Sequence, residues 1–156
     1  MDFTINENQK MIADMIQQFG KQNITPFVRE WDDNQTFPVD VFKKLGELGL
    51  MGVLVPTEYG GSGFSYTEYV TAIEQLSILD PSIGLSMAAH NSLCTGHILQ
   101  FANEEQKMRW LPKLASGEML GCFGLTEPDH GSNPGGMTTN FKEDGDDIIL
   151  NGAKMW

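Results

Sequence analysis

The sequence has few cysteines, few cations and no long apolar run. Its two cysteines, Cys94 and Cys122, lie among apolar residues and do not form the dense pattern of a disulfide framework. This usage fits a reducing compartment. No stretch reaches the roughly 18 apolar residues of a membrane span, and no basic, apolar leader opens the chain. We therefore expect neither a membrane-spanning segment nor a secretion signal.

Positive charge is scarce as well. Ten Lys and Arg residues against 21 Asp and Glu residues give a formal net charge of -11 over 156 residues. A field of that sign repels phosphate backbones, so we expect no nucleic-acid partner. It does not exclude an anionic cofactor, because backbone amides and helix N-termini bind phosphate locally.

The first part of the chain, residues 1–117, has the pattern of a helical domain. Asn6 with Gln9, and Asn103 with Gln106, are spaced as capping boxes at helix starts. Proline and glycine mark where helices break or end, at Pro26, Asp80-Pro81, Gly49 and Gly117. These signals predict several short helices joined by tight turns.

One helical segment, residues 83–101, is apolar or small on nearly every face. A helix with that composition is expected to be buried. His90, Cys94 and His97 follow at helical spacing on one face of it, which raises a metal site as an alternative. No fourth ligand is evident, and a buried cysteine usually packs as a small hydrophobe, so we expect no metal.

After Gly117 the pattern changes to short strands. Asp-Gly and Asn-Gly between apolar runs are strong hairpin signals. We predict a β-meander over residues 118–156 whose strands are 119–125, 138–142, 148–150 and a last one beginning after the Asn151-Gly152 turn. A sheet edge left open at Trp156 leads us to expect that the sequence belongs to a longer protein.

A strand running into a glycine-rich turn is the most informative stretch. It reads Cys-Phe-Gly-Leu-Thr-Glu-Pro-Asp-His-Gly-Ser-Asn over residues 122–133, with further glycines at 135 and 136. Successive N–H groups in such a turn suit a pyrophosphate, and the Thr126 and Ser132 hydroxyls are donors. Glycine-rich turns after strands are common, so an ordinary structural turn stays open as the alternative.

The order of motifs resembles that of acyl-CoA dehydrogenases. Phe-x-Leu-Thr-Glu-Pro-x-x-Gly-Ser from Phe123 and Asn-Gly-x-Lys-x-Trp up to Trp156 are similar to the middle-domain signature of that family. Motifs at residues 47–52, 58–63, 91–93 and 104–107 are similar to it as well. The resemblance implies an α+β chain, with an all-α N-terminal domain over 1–117 and the first strands of a β-barrel-like middle domain over 118–156.

The resemblance also implies which residues contact FAD. The strand would line the flavin ring, the glycine–serine pair would serve the pyrophosphate, and the tryptophan would pack near the ring. The implied cofactor residues are Phe123, Gly124, Leu125, Thr126, Gly131, Ser132 and Trp156. Ser132, Ala89 and His90 are implied to approach the substrate, with a hydrogen-bonded core histidine as the alternative for His90.

The implied reaction is the α,β-dehydrogenation of an acyl-CoA to a trans-2-enoyl-CoA, with electrons passed to an electron-transfer flavoprotein. The catalytic base of the family is a glutamate of the C-terminal helical domain, for which Glu127 is no substitute. We therefore assign no catalytic residue to this chain and expect the chain by itself to be inactive. The family also implies a homotetramer, in the bacterial cytoplasm or, as the alternative, the mitochondrial matrix.

Two subfamilies compete on substrate. The turn motif is similar to that of glutaryl-CoA dehydrogenases, but the arginine that those enzymes carry early in the buried helix corresponds to Gly84. Residues 83–92 hold no Lys or Arg at all, and a buried carboxylate without a cation is costly. We therefore expect a short saturated acyl group, such as butyryl. A flavin oxidase on the same fold and a non-catalytic helical interaction module also stay open.

Overall fold

The structure is a computed structural model, and it describes residues 4–156. These residues form a helical unit that ends at Cys122 and a hairpin unit, Phe123–Trp156. The elements are α1 (Glu7–Asn23), α2 (Val28–Asp33), α3 (Val39–Glu47), α4 (Tyr66–Leu79), α5 (Pro81–Ala88), a π-helical segment (Ala89–Thr95), α6 (Gly96–Phe101), α7 (Glu104–Ala115), β1 (Asn140–Asp144) and β2 (Asp147–Asn151). The predicted domain boundary at residue 117 stays a prediction.

Capping boxes start three of the helices. In each, a side-chain oxygen accepts a hydrogen bond from the third helical N–H, and the residue there bonds back, which satisfies two backbone donors. The pairs are Asn6 with Gln9 in α1, Ser65 with Glu68 in α4, and Asn103 with Gln106 in α7. Asn6 Nδ2 also donates to Glu68 Oε1 at 2.9 Å, which joins the starts of α1 and α4. Both capping boxes predicted from the sequence are confirmed.

The predicted breaks are also present. The chain turns between α1 and α2 around Pro26, and Asp80 separates α4 from α5. Asp80 Oδ1 accepts from the N–H groups of Ser82 at 2.8 Å and of Ile83 at 3.0 Å, with Pro81 at the first helical position. Gly49 and Gly117 follow helices with φ of 77° and 75°, the left-handed conformation that glycine adopts without strain.

The apolar core of the helical unit lies where α1, α3, α4 and α5 meet. Side chains at helical spacing on each of these elements interlock there and lose almost all contact with solvent. Its most deeply buried members are Ile12, Ile16, Ile24, Phe42, Leu45, Met51, Val53, Ala72, Leu76 and Met87.

The predicted buried helix over residues 83–101 is wrong in two respects. It is interrupted by the π segment, and its burial is one-sided. Leu85 is 71% exposed and Phe101 72% exposed, whereas Ile83 and Met87 are buried. An apolar side chain does not by itself require a cover from the same chain, so composition overestimated the burial.

Asn91 fixes the π segment to the rest of the helical unit. Its Oδ1 accepts the Val53 N–H at 3.0 Å, and its Nδ2 donates to the carbonyls of Leu50 at 3.0 Å and Met87 at 3.1 Å. Leu50 and Val53 lie in and just after a 3₁₀ turn, and Met87 lies in the last turn of α5, just before the π segment, so these backbone groups need side-chain partners. The one buried amide therefore joins two distant parts of the chain.

The hairpin unit contains two antiparallel strands. Phe141 pairs with Leu150, and Asp144 pairs with Asp147 across the two-residue turn Gly145–Asp146. Gly145 has a φ of 63°, as tight hairpin turns require at this position. The predicted Asp-Gly hairpin is present, with its turn one residue later and its strands at 140–144 and 147–151.

Two other predicted strands do not form in residues 4–156. Residues 119–125 run outside any ladder, and Asn151-Gly152 does not turn into a paired strand. The Met155 N–H donates to the Thr126 carbonyl at 2.9 Å, and this is the one backbone–backbone bond between the ends of these two segments within residues 4–156. Alternation of apolar residues predicts an extended segment, but a strand also needs a partner with matching hydrogen bonds.

We predict that Asn91→Ala destabilises the protein by about 3 kcal/mol, since it leaves a buried N–H and two buried carbonyls without this partner. Chemical denaturation of the wild type and the variant measures this loss. Ser92→Ala is the matched control, because Ser92 is a half-buried neighbour whose Oγ donates to the carbonyl of Ala88, four residues earlier, at 2.7 Å. Its loss should cost about 1 kcal/mol. Equal effects at the two positions would contradict the role given to Asn91.

Candidate functional site

The signature segment of the hairpin unit, residues 123–126, is extended and presents apolar side chains to solvent. Phe123 is 42% exposed and Leu125 is 40% exposed, while Thr126 is half-buried. Lys154 Nζ donates to the Leu125 carbonyl at 2.9 Å, next to the Met155–Thr126 bond. The backbone of the segment is thus held from the side of residues 154–155.

Glu127, at the end of this segment, is 3% exposed and accepts four hydrogen bonds. Its Oε2 accepts from the Thr138 N–H at 2.7 Å and the Thr138 hydroxyl at 3.0 Å. Its Oε1 accepts from the Thr139 N–H at 3.0 Å and from Lys154 Nζ at 3.0 Å. One carboxylate therefore binds two separate segments of the hairpin unit.

These donors stabilise the charged form of Glu127. The hydrogen bonds from Thr139 and Thr138 and from the Lys154 ammonium hold the pKa of this carboxyl well below its ordinary range and outweigh the effect of burial. His130 Nδ1 lies 4.0 Å from Glu127 Oε2. At neutral pH Glu127 is an ionised and weakly basic hydrogen-bond acceptor.

The turn after Glu127 is closed by two backbone bonds. Glu127 and His130 exchange N–H···O contacts of 3.1 Å in both directions, and Pro134–Gly136 forms a short 3₁₀ turn. Gly131 and Ser132 are exposed, and an added β-carbon at Gly131 would meet nothing within 4 Å. Gly136 differs, because a β-carbon there would lie 2.5 Å from the His130 ring.

Neither Gly131 nor the two later glycines of the turn has a positive φ. An anion nest commonly alternates right- and left-handed residues, and this turn does not. Its glycines at 135 and 136 lie in 3₁₀ geometry instead. Within residues 4–156, no hydrogen bond occupies the N–H groups of Gly131 and Ser132 or the Ser132 hydroxyl. These three donors are among the open ones of the turn.

Trp156 is 93% exposed, so the side chain predicted to pack near a flavin ring is uncovered in this chain. The structure thus brings Leu125 and Thr126 next to residues 154–155 of the same unit. Gly124 lies beside Lys154, since a β-carbon added at Gly124 would be 3.5 Å from Lys154 Cγ, an ordinary van der Waals distance.

In the helical unit, His90 is buried and all its ring nitrogens are engaged. Nε2 lies 3.0 Å from the Met51 carbonyl and 3.1 Å from the Leu114 carbonyl, so it carries the proton. Nδ1 accepts the Gly121 N–H at 2.9 Å. This geometry is that of the alternative given for His90, a hydrogen-bonded core histidine. A substrate contact by a ring nitrogen would require breaking one of these bonds.

Burial lowers the pKa of His90, against the smaller opposing effect of the Leu114 and Met51 carbonyls. Ala89, the other implied substrate residue of this unit, is half-buried at the first position of the π segment. Within residues 4–156, no three His, Cys, Asp or Glu side chains are arranged to hold a metal ion. The π segment changes the spacing on which the shared face of His90, Cys94 and His97 was based.

The sequence interpretation gave no role to Asn91, Lys154 or Glu127, although all three lie within the motifs that it quoted. A lone carboxylate at the end of the apolar run 122–125 was the available signal for Glu127, because a buried charge needs partners. Asn91 stood out in the same way, as an amide within the nearly apolar segment 83–101.

None of the helices within residues 4–156 combines the length and the apolar character that crossing a bilayer requires.

Comparison with known proteins identifies the family of this chain. Residues 6–118 match the family described as acyl-CoA dehydrogenase, N-terminal domain. A probable acyl-CoA dehydrogenase of Bacillus subtilis is 44% identical over 156 residues, which is 100% of this chain and 41% of the relative. The chain therefore spans about two fifths of the length of that relative.

Solved structures are similar over the same extent. Butyryl-CoA dehydrogenase from Megasphaera elsdenii is 34% identical with a TM-score of 0.92, covering 99% of this chain and 41% of its own. A glutaryl-CoA dehydrogenase from Mycobacterium smegmatis in complex with FADH2 is 39% identical with a TM-score of 0.92, covering 97% and 39%.

We predict that His90 contributes an acid-sensitive part of the stability. Its folded pKa is lowered, so below about pH 6.5 the unfolded chain binds a proton that the folded chain does not. This contribution is present above pH 6.5 and is lost as the pH falls towards the folded pKa. Denaturation midpoints between pH 7.5 and 5 should therefore decline less steeply in His90→Gln than in the wild type.

His97→Gln is the control, because His97 is exposed. The midpoints of His97→Gln should decline more steeply with falling pH than those of His90→Gln. The assignment fails if His90→Gln declines as steeply as the wild type.

Proposed function

Because this chain belongs to the acyl-CoA dehydrogenase family, we propose that the whole protein is an FAD-dependent dehydrogenase of short-chain acyl-CoA. It would form the trans-2-enoyl-CoA and pass electrons to an electron-transfer flavoprotein. The observation that carries the proposal is the segment 123–126, which exposes apolar side chains while Lys154 bonds both its backbone and Glu127. The turn that follows it has N–H groups at Gly131 and Ser132 without a hydrogen-bond partner within residues 4–156. The chain spans 41% of its relative, so the activity is that of a protein of the relatives' length, proposed to be a cytoplasmic homotetramer.

The residues present fit an extended dinucleotide with an apolar ring system. Phe123 and Leu125 offer apolar surface for a flavin ring, and Thr126 adds a hydroxyl. The open N–H groups of Gly131 and Ser132 suit a pyrophosphate, and the lack of a β-carbon at Gly131 leaves room for close approach. Trp156 would cover a further part of the ring.

In this family the bound FAD accepts a hydride from the β-carbon of the acyl thioester. The residues of this chain bind and orient; they do not transfer the proton. Glu127 in particular is unsuited as a base, because its two oxygens are occupied by four donors. We propose that the base is a glutamate of the C-terminal part that the relatives have.

We predict that the full-length protein binds FAD and not FMN, because the Gly131–Ser132 turn offers donors for a pyrophosphate, which FMN lacks. Releasing the flavin from the purified protein and measuring its mass identifies it. Recovery of FMN alone would contradict the assignment, and a colourless protein that takes up no flavin would favour the interaction module.

The helical unit favours an uncharged acyl group. Gly84, where glutaryl-CoA dehydrogenases carry an arginine, faces Ser77 of α4 so closely that an added β-carbon would collide with its hydroxyl and lie 3.1 Å from its Cα. Residues 83–92 contain no Lys or Arg, and the lowered pKa of His90 keeps this histidine neutral. Gly84→Arg is unsuitable as a test of specificity, because the side chain has no room at the α4–α5 contact.

A glutaryl-CoA dehydrogenase is the second candidate, favoured by the 39% identity to the Mycobacterium smegmatis enzyme. It would need a cation from the part of the protein outside this chain to pair with the distal carboxylate. The choice between the two candidates depends on a direct comparison of substrates.

We predict that the full-length enzyme prefers butyryl-CoA over glutaryl-CoA by about 100-fold in kcat/KM, which corresponds to roughly 2.7 kcal/mol. The reason is the cost of burying a carboxylate beside the uncharged face of α5. Steady-state rates with both thioesters and a dye acceptor measure the ratio. Equal values, or a glutaryl preference, would establish the second candidate instead.

A further inference from the structure

We propose that Glu127 and Lys154 form a positioning pair that sets the flavin-facing backbone of the hairpin unit. The inference rests on the function proposed above. Neither side chain would touch the cofactor or substrate. The pair would act through the segments it holds, which carry most of the proposed cofactor contacts.

The geometry places the pair where three segments meet. Lys154 Nζ lies 2.9 Å from the Leu125 carbonyl and 3.0 Å from Glu127 Oε1. Glu127 binds the N–H groups of Thr138 and Thr139, just before β1 begins. The segment ending at Thr126, the start of β1 and the segment leading to Trp156 are thereby fixed relative to one another within this unit.

No strand ladder does this work in residues 123–139. An apolar pair could fill the same space, and replacing a buried ion pair by apolar residues is often neutral or stabilising. An apolar pair could not accept from two backbone N–H groups and donate to a carbonyl. The polar pair therefore specifies the backbone path more than it adds stability.

The two charges of the pair also neutralise each other. Glu127 is 2% and Lys154 28% exposed at the side chain, and their opposite charges lie 3.0 Å apart. Lys154 is consequently not an open cation for a phosphate, which leaves phosphate binding to the backbone donors of the turn. Breaking the pair would leave an uncompensated charge beside the flavin-facing segment.

Glu127→Gln, Lys154→Met and the double variant in the full-length protein test the proposal. Each single change should weaken FAD binding about tenfold or more, as loss of a group that orients a ligand-contacting residue does. The bound flavin should also show a shifted absorption spectrum and reduction potential. Because the two residues act as a unit, the double variant should resemble the singles and not show their product. Lys154→Arg, which keeps the cation, should recover most of the affinity.

Asp129→Asn is the matched control, since Asp129 is exposed on the same turn. It should keep the wild-type affinity, spectrum and potential. If the pair variants match this control while the wild type binds FAD and turns over butyryl-CoA, the positioning role is overturned and the proposed function stands. If they lose only thermal stability, with the affinity, spectrum and potential of the wild type, the pair is merely structural and the proposal is likewise overturned. A wild type that binds no FAD overturns the proposed function and the pair's role with it.

Discussion

Every buried backbone N–H and carbonyl needs a partner, and this requirement shapes the irregular parts of both units. Where helices and strands end, no regular neighbour supplies the bond. His90 and Asn91 supply it in the helical unit, to Gly121 and Val53, and Glu127 supplies it in the hairpin unit. The irregular backbone of the two units is thus held by three buried polar side chains.

The parts of the fold that depend on local chemistry were predictable. Capping boxes at Asn6 and Asn103, the break at Asp80-Pro81 and the glycine exits depend on residues within four positions of one another. The strand predicted over 119–125 does not form within residues 4–156, and this could not be foreseen in the same way, because strand pairing depends on partners far along the chain. The π segment was missed for a related reason: its bonds to Leu50 and Val53 span about 40 positions.

The candidate site also has features that depend on local sequence and features that depend on distant partners. The motif from Phe123 to Ser132 identified the family, which the comparisons confirmed over residues 6–118. The residues that support the motif were not visible in it, since Lys154 lies 27 positions from Glu127. For His90, the sequence left open a residue near the substrate and a core histidine. Its three contacts with backbone atoms are those of a core histidine.

Amide hydrogen exchange of the 156-residue chain tests most directly whether buried side chains hold these backbones. The informative amides are those of Val53, Gly121, Thr138 and Thr139, which donate to side-chain atoms of Asn91, His90 and Glu127. They should exchange at least about 100-fold more slowly than the open amides of Gly131 and Ser132, because exchange requires local opening of the packed side chains. Exchange of all six amides at one rate would contradict the account.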